Sequence, residues 1–503
     1  MSAVTGLLMK GSAVLTYDLN QRGRTPKYEF LYRCLRDDIS SGRLAPNQKL
    51  PSKRRFAKHL GVSVSTVETS YNMLHEGGYV WARQGSGFYV STIAAERSVV
   101  AGGHDDGRPS HAASGAASSD AAAITGPSSR IDFSANRAGL ELFPTETWSR
   151  IMRSVLADRD PELLDTVPYN GLYALRRAIA DHLRDLRGIS TSPDNIVIGA
   201  GTEYLYGRLL QLFGPRCVIA LGDAGSTKLA NIAQSSGVTW DFIPIDRGGM
   251  QTSHLIDSPA NVVLVSPANQ FPTGNVLLPE RRLQLLDWAH SSSERYLIED
   301  DYDSELRYEG GAPAPLFSQD DRQRTVYLNT FSKTLVPSLR ISYMVLPDSL
   351  AKLYREQLSF YSCTVSSFEQ LALARFISEG YFERHLHRLV VHYRTVRDAL
   401  MSALHQSPLM KVAQARDVSV GTHLILHVST TRTDGEVVAT ARSAGLHLRM
   451  LTDYCLSPDA FNEHCVVVNF ASFALESIPA VAGALEKVFA AEIAEASQST
   501  PRK

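Results

Sequence analysis

Lys333 is a lysine whose sequence neighbours are polar and charged. It lies between Ser332 and Thr334, shortly after an apolar run at residues 326–328, and Arg340 follows seven residues later. A lysine in such a setting can form a Schiff base with an aldehyde, and a nearby arginine can bind a phosphate group of the same molecule. The pattern therefore predicts a site for a phosphorylated aldehyde.

Two further segments place polar groups directly after an apolar run. The sequence GAGTE at residues 199–203 follows one such run, and Asp300 and Tyr302 follow another at residues 296–298. A glycine turn that opens a helix presents backbone N–H groups to an anion, although such a turn is as often only a tight connection. Taken with Lys333, the turn favours a phosphate site.

A common framework is needed to bring these segments together. Strands and helices alternate from residue 131 to about residue 489, which predicts an α/β unit with a mostly parallel sheet. Open sheets of this kind bind ligands at the carboxyl ends of their strands. The polar segments are therefore expected to meet at one edge of the sheet.

Three phrases resemble, in order and spacing, the fold-type I aminotransferases that use pyridoxal 5′-phosphate (PLP): NQFPTG at 269–274, IEDDYDSE at 298–305 and TFSKTLVPSLR at 330–340. The resemblance implies an α/β/α PLP-dependent transferase fold with a small C-terminal α+β subdomain. It also implies that Lys333 forms the Schiff base with PLP, that Asp300 pairs with the pyridinium nitrogen and that Tyr302 hydrogen-bonds the phenolic oxygen. The residues implied around the phosphate are Gly201, Thr202, Glu203, Thr330, Ser332, Arg340 and, from the partner subunit of a dimer, Tyr169.

The sequence between residues 131 and 489 departs from the pattern of these aminotransferases at three places. Residues 222–226 read GDAGS where relatives carry an aromatic residue that stacks on the pyridine ring, so we expect a lower cofactor affinity. The strand at 466–470 lacks an arginine for a substrate carboxylate, and Arg449 is the nearest replacement unless it has a plain surface role. The residue before the proline of NQFPTG is not the usual asparagine, so Asn269 or Gln270 is expected to contact the ring.

The N-terminal part predicts three helices followed by a β-hairpin. An apolar stripe at residues 28–41 predicts the first helix, and Ser52 and Ser63 are expected to cap the second and third. Two β-rich runs at 79–83 and 87–90 predict the hairpin. This order is that of an α+β winged helix-turn-helix, whose last helix enters the major groove of DNA.

This part resembles the GntR family of bacterial regulators. LPSKR at 50–54 and LGVSVSTV at 60–67 match the family hallmark LPS-x-R followed by LGVS-x-x-TV. The resemblance implies double-stranded DNA as a partner. The residue types are suited to this role, because an arginine can bind a phosphate or guanine and hydroxyls can bind phosphates or base edges. The residues implied at the DNA are Ser52, Arg54, Ser63, Ser65, Thr66, Gly85 and Gly87.

Composition and charge indicate how the chain is divided. Its 503 residues are 44% hydrophobic and 20% charged, which excludes collagen-like and wholly disordered classes and favours more than one domain. Residues 92–129 are rich in Ala, Ser, Gly and Asp without a helical or strand period, as in a linker. The predicted parts are an N-terminal tail, a winged-helix domain, the linker, a PLP-binding effector domain and a C-terminal tail, at residues 1–19, 20–91, 92–129, 130–490 and 491–503.

The near-neutral net charge conceals a difference between these parts. Residues 20–92 carry twelve basic and five acidic side chains, or +7, whereas the whole chain carries −1. A basic unit joined to an acidic one is typical of a DNA-binding module attached to another domain. Five scattered cysteines without a CxxC pair, and no apolar run of membrane length, favour a cytoplasmic protein without a structural metal site or membrane contact.

A GntR-type winged helix joined to an aminotransferase-like unit is the architecture of the MocR/GabR regulators, which the chain resembles over about residues 20–490. The resemblance implies a bacterial transcription factor, arranged as a head-to-tail homodimer, that senses PLP or an amine that reacts with it. The segments at 199–206 and 362–365 resemble the branch that controls vitamin B6 synthesis.

Two alternatives remain open at the level of sequence. Because Lys333, Asp300 and Tyr302 are all present, the chain could be a catalytically active PLP-dependent aminotransferase with an appended DNA-binding domain. The missing carboxylate arginine and stacking ring favour a sensor over an enzyme. A weaker alternative is a constitutive repressor whose large domain only dimerises.

Overall fold

The computed structural model describes residues 16–17, 19–22, 25–83, 87–91, 131–133, 142–158, 161–309, 313–416, 420–455 and 464–498. The chain divides into two compact units, Met1–Asp105 and Asp106–Lys503. The predicted linker at 92–129 lies outside the described residues, as do Gly85 and residues 1–15 of the predicted N-terminal tail.

The N-terminal unit is a winged helix, as predicted. Its helices α1, α2 and α3 and its antiparallel strands β1 and β2 are, in order, Lys27–Ser40, Lys53–Leu60, Val64–Glu76, Val80–Arg83 and Gly87–Val90. A single-turn 3-10 helix, Leu19–Arg22, precedes them.

Helix capping explains where α2 and α3 begin. The Ser52 side chain accepts a hydrogen bond from the backbone N–H of Arg55 at 3.4 Å, and the Ser63 side chain accepts one from Thr66 at 3.1 Å. Gly61 ends α2 in the left-handed conformation, with φ +64°, which glycine adopts without steric cost. Both predicted caps are confirmed.

The large unit contains the strands that position the candidate site. Strands β3 to β17 are, in order, Ile131–Asp132, Ile196–Gly199, Val218–Gly222, Thr239–Ile243, Ile245–Asp246, Gly249–Met250, Val262–Val265, Tyr296–Asp300, Thr325–Thr330, Ser342–Val345, Ala413–Arg416, His423–Val428, Leu446–His447, Arg449–Met450 and Cys465–Asn469.

Seven of these strands form the main sheet, in the order β4-β12-β11-β10-β9-β5-β6. All neighbours are parallel except β12, which is antiparallel to both β4 and β11. The mostly parallel sheet is confirmed, and the carboxyl ends of β4, β10 and β11 lie at one edge.

Helices cover both faces of this sheet, because successive residues of a strand point to opposite sides. The face of Ile196 and Ile198 is covered by Thr145–Ala157, Tyr173–Arg187 and Ser367–Ser378. The face of Val197 is covered by Thr202–Phe213, Thr227–Ser235 and Asp348–Leu358. Pro279–His290 covers a further part of the sheet, at Ala220, Val263 and Leu297. Shorter helices are Ser253–Asp257 and Leu316–Gln319, with 3-10 turns at Pro161–Leu163, Pro193–Asn195 and Pro337–Leu339.

A second, antiparallel sheet of order β13-β14-β17-β16 forms the smaller part of this unit. Its helices and 3-10 turns are Tyr381–Gln406, Pro408–Lys411, Asp434–Ser443, Leu451–Tyr454, Leu475–Ser477, Ile478–Val488 and Ala490–Gln498. In the last helix, the Glu492 carboxylate accepts hydrogen bonds from Arg432 Nε and Thr430 Oγ1, each at 2.7 Å. The predicted C-terminal tail from residue 491 therefore begins with a packed helix.

The helices among the described residues do not include one that combines the length and the apolar run needed to cross a membrane.

Candidate functional site

A cavity of about 460 Å³ lies at the carboxyl ends of β4, β10 and β11. The sheet edge supplies polar residues to its wall, and the smaller α+β part supplies strands β16 and β17. The lining residues from the predicted set are Thr202, Glu203, Asp300, Tyr302, Thr330, Ser332, Lys333, Arg340 and Arg449. The structure thus brings together side chains that are up to 247 positions apart in the sequence.

Lys333 is half-buried in this wall, in the turn that follows β11. Its Nζ atom lies 5.7 Å from the centre of the Tyr302 ring. Burial lowers the pKa of Lys333, although the carboxylates of Asp303 and Asp300 oppose the shift. A lower pKa increases the share of neutral amine, which is the form that attacks a carbonyl carbon.

The carboxylate of Asp300, a residue of the cavity wall, has one satisfied and one unsatisfied oxygen. Oδ2 accepts a hydrogen bond from Tyr206 at 2.8 Å, whereas Oδ1 is buried and has no hydrogen-bond partner among the described residues. Burial raises the pKa of Asp300 to about 6, against the lowering effect of the Tyr206 hydrogen bond. A buried acceptor without a donor is costly, so Oδ1 is suited to a ligand N–H group.

Tyr302 belongs to a small hydrogen-bonded group on the same wall. Asn269 Nδ2 donates to the Tyr302 hydroxyl at 3.3 Å and to Asp303 Oδ2 at 2.8 Å. Burial raises the pKa of Asp303, and the nearby Lys333 charge opposes this. Asn269, one of the two candidates for a ring contact, therefore reaches the site through Tyr302.

The glycine turn after β4 carries a charged cluster. Arg340 Nη2 and Lys228 Nζ each donate a short hydrogen bond to the Glu203 carboxylate. Gly201 has φ +96°, and a Cβ at this position would overlap the Arg340 guanidinium. Only glycine lets the arginine lie this close to the start of the helix, so the turn is built around Arg340.

Asp301, next to Asp300, has a different role. It is 2% exposed and pairs with Arg187, with 2.7 Å between Oδ2 and Nη2. Tyr327 and Ser304 also donate hydrogen bonds to this oxygen, at 2.7 and 2.8 Å. The cavity wall does not include Asp301, so this carboxylate supports the fold under the site rather than lining it.

The opposite wall comes from the smaller part of the unit. Arg449 on β16 lines the cavity, as do Val467 and Asn469 on β17, which pairs with β16. Arg449 is half-buried and not a plain surface residue. It is therefore placed where a ligand carboxylate could be bound.

Tyr206, Lys228 and Phe271 are among the lining residues that were not in the predicted set. Tyr206 lies one helical turn after Thr202, so the i to i+4 spacing could have indicated it. Lys228 and Phe271 also line the cavity, and they do so through tertiary packing that no local sequence pattern predicts. Tyr169 does not line the cavity; its hydroxyl accepts a hydrogen bond from Arg355 at 3.4 Å, and its predicted role in a partner subunit stays a prediction.

Comparisons with known proteins address both units. Residues 27–90 match the family of bacterial regulatory proteins of the gntR family, and residues 131–433 match aminotransferase class I and II. The chain is 32% identical to the "Probable rhizopine catabolism regulatory protein MocR" of Rhizobium meliloti, over 74% of this chain and 76% of that protein. The chain belongs to the MocR/GabR-type regulators.

This MocR/GabR-type regulator is also similar to other transcriptional regulators and to solved aminotransferase structures. The HTH-type transcriptional regulator YdeL of Bacillus subtilis is 32% identical, over 86% of this chain and 91% of its own length. The HTH-type pyridoxine biosynthesis transcriptional regulator PdxR of Corynebacterium glutamicum is 29% identical, over 83% and 86%. The kynurenine aminotransferase of Pyrococcus horikoshii shares the fold, with a TM-score of 0.65, 22% identity and coverage of 73% and 92%.

The winged helix of this MocR/GabR-type regulator exposes most of its predicted DNA-contacting residues. Ser52, Arg54, Ser63, Ser65 and Gly87 are exposed and Thr66 is half-buried, whereas Gly85 lies outside the described residues. The Ser63 hydroxyl lies 2.9 Å from the Ser65 hydroxyl and 2.7 Å from that of Thr66. These hydroxyls surround the N-terminus of α3, the end that enters the major groove in related folds.

Arg54 is the predicted DNA contact whose loss is easiest to measure in this MocR/GabR-type regulator. We expect Arg54→Ala to weaken operator binding about tenfold and to reduce the salt slope by about one, because one phosphate contact or guanine pair is lost. The measurement is fluorescence anisotropy with an operator duplex at several salt concentrations. Arg33→Ala is the control, since Arg33 lies on α1 and pairs with Glu29 at 2.6 Å. Equal effects of the two substitutions would show that only net charge matters.

Proposed function

We infer that this transcriptional regulator binds PLP in the cavity at the sheet edge and changes its DNA binding in response. The observation that carries this inference is the unsatisfied Oδ1 of Asp300, in one cavity with Lys333 and the Gly201–Arg340 turn. A buried acceptor, an amine of lowered pKa and an anion-binding turn match the ring N–H, the aldehyde and the phosphate of PLP.

Different residues of the cavity would bind different groups of PLP. Asp300 would hold the ring nitrogen and keep its proton, while Tyr302, held by Asn269, would hydrogen-bond the phenolic oxygen. Thr202, Ser332 and Arg340, beside Gly201, would hold the phosphate. When bound, PLP supplies an aldehyde that links to amines and a ring that withdraws electrons from that link.

The protonation of two side chains prepares the site for this ligand. Asp300 must be ionised to pair with a pyridinium, and since its pKa is raised to about 6, it is ionised at neutral pH. Lys333 must be neutral to react, and its pKa is lowered by burial. At neutral pH Asp300 is therefore ionised, and burial increases the share of neutral Lys333 amine.

The missing strand arginine favours sensing over turnover. The wall formed by β17 offers Val467 and Asn469, whereas Arg449 on β16 is a cation that a carboxylate-bearing effector amine could reach. Lys333 would hold the aldehyde of PLP, and Arg449 would hold the carboxylate of an effector amine that reacts with this aldehyde. Residual aminotransferase activity is the alternative, because Lys333, Asp300 and Tyr302 are all present.

The likeness to PdxR supports PLP itself as the signal, and an amine that reacts with PLP is the alternative. We further propose a head-to-tail homodimer in the cytoplasm, in which Tyr169 of each subunit reaches the phosphate bound by the other. A ligand shifts such an assembly only if it binds one arrangement of the dimer more tightly than another.

The test is operator binding by the full-length protein with and without PLP. We expect PLP to change the operator dissociation constant by about fivefold or more, the range of ordinary allosteric coupling. Pyridoxal, which lacks the phosphate, is the matched control ligand. An operator affinity that stays the same with PLP and with PLP plus amino acids would contradict the proposal. Multiple turnover of an amino acid with a 2-oxo acid would instead establish the enzyme.

A further inference from the structure

Glu203 is an acidic side chain at the place where the site would bind a phosphate. Its Oε1 accepts a hydrogen bond from Lys228 and its Oε2 accepts one from Arg340. All three side chains line the cavity. The carboxylate thus engages two cations that lie beside the anion-binding turn, Lys228 from the helix Thr227–Ser235 and Arg340.

The local geometry leaves little freedom for this arrangement. Glu203 is in the first turn of the helix Thr202–Phe213, whose N-cap Gly201 gives no side-chain cap. Negative charge is stabilised there by the helix dipole and the free backbone N–H groups. Arg340 is held against the same turn because Gly201 has no side chain, and its own backbone has φ +50°.

The electrostatics of Glu203 show that the cluster holds its charge. Burial alone would raise the pKa of Glu203, but the hydrogen bonds from Lys228 and Arg340 outweigh it and lower the pKa. The carboxylate is therefore ionised at neutral pH. The cluster carries one net positive charge, where two cations without Glu203 would carry two.

We propose that Glu203 is a built-in competitor of the phosphate, whose carboxylate occupies Arg340 and Lys228 and so lowers the affinity of the site for PLP. A phosphate monoester carries about −1.5 to −2 charges at neutral pH and must share these cations with Glu203 or displace it. Two anions on one guanidinium repel each other. The role of Glu203 is then the opposite of a phosphate ligand, the role that the family resemblance implies.

This inference rests on the proposed function, and it gives the site a property that a sensor needs. An enzyme can retain its cofactor indefinitely, whereas a sensor must release its ligand when the ligand concentration falls. The occupancy of a site reports concentration only near its dissociation constant. An internal competitor raises that constant without removing any group that recognises the ring or the aldehyde.

The test compares Glu203→Gln with the wild type in the full-length protein. We expect Glu203→Gln to bind PLP about tenfold more tightly and to release it more slowly, since one like charge near the phosphate is removed. The measurements are absorbance titration with PLP and the rate at which the absorbance is lost on dilution. Pyridoxal binding should not change, because the competitor acts only on the phosphate.

Two control variants keep the test specific. Glu203→Asp keeps the charge, so its affinity for PLP should stay closer to that of the wild type. Glu294→Gln removes an exposed carboxylate of similar kind, which lies 3.7 Å from Arg216, and should leave PLP binding unchanged. Circular dichroism of each variant establishes that it is folded.

The outcomes separate this inference from the proposed function. Unchanged or weaker PLP binding by folded Glu203→Gln, in a protein that binds PLP, would overturn the competitor role and leave the proposed function intact. Tighter binding by Glu203→Gln without any operator response to PLP would support the competitor and contradict the proposed sensing. Failure of the wild type and the variant to bind PLP would overturn both.

Discussion

Lys333→Ala is expected to abolish the visible absorbance that PLP gives when it is covalently linked to the protein. The substitution removes the only atom of this side chain that can bond the aldehyde, while Asp300, Arg340 and the glycine turn keep their contacts. Reversible binding of PLP should therefore persist at higher concentration, without the covalent band. Borohydride reduction followed by peptide mass analysis should find PLP on Lys333 of the wild type.

The same variant separates the three hypotheses for the large unit. A sensor loses its operator response to PLP or amines in Lys333→Ala, an enzyme loses turnover, and a constitutive repressor regulates as before. Lys352→Ala is the control, since Lys352 is an exposed lysine 3.9 Å from Glu356. A covalent band that survives in Lys333→Ala would show that the cofactor is attached elsewhere.

Asp301→Asn is expected to lower the free energy of unfolding of the large unit by about 3 kcal/mol or more. The substitution removes the carboxylate that pairs with the buried Arg187, and breaking a buried ion pair is strongly destabilising, by about 3–5 kcal/mol. The measurement is denaturant unfolding of the full-length protein without PLP, followed by tryptophan fluorescence at pH 8.

Asp300→Asn, one residue earlier, is the matched comparison and should act in the opposite direction. Burial raises the pKa of Asp300 from 3.8 to about 6. The unfolded chain therefore releases this proton more readily, and the folded state loses stability as pH rises through this range. Removing the charge should stabilise the cofactor-free protein at pH 8 by up to about 3 kcal/mol, while weakening PLP binding. Equal destabilisation by the two variants would contradict the division of roles.

The sequence predicted the residues of the site that stand at strand ends. Asp300, Thr330 and the turn from Gly201 follow apolar runs, and parallel strands bring such ends to one edge. The caps Ser52 and Ser63 were equally predictable, because a cap is set by residues within three positions of it. The helix Ala490–Gln498, most of which lies in the predicted C-terminal tail, was not predicted, although its composition favours a helix.

Contacts between distant segments could not be predicted in this way. Glu203 meets Arg340, 137 positions later, only because β12 lies between β4 and β11 and brings both turns to one place. A glutamate after a glycine turn gives no local sign that it will neutralise the arginine expected to bind the ligand. Phe271 likewise reaches the cavity through the packing of one part of the unit on the other.

Strand β12 also joins the two turns that would hold the ligand to the central sheet. Its first residue, Ser342, pairs with Thr330 on one side and with Gly199 on the other, so both turns that would hold the ligand are anchored to one residue of the central sheet. We therefore expect backbone movement on binding in the two segments that leave the sheet at these anchor points, the turn after Gly199 and the eleven-residue arc at 331–341. The outermost residues of this arc, Pro337 and Ser338, are exposed. We therefore expect the arc at 331–341, which joins the cavity wall to exposed residues, to be a route by which binding in the cavity changes the surface of this unit.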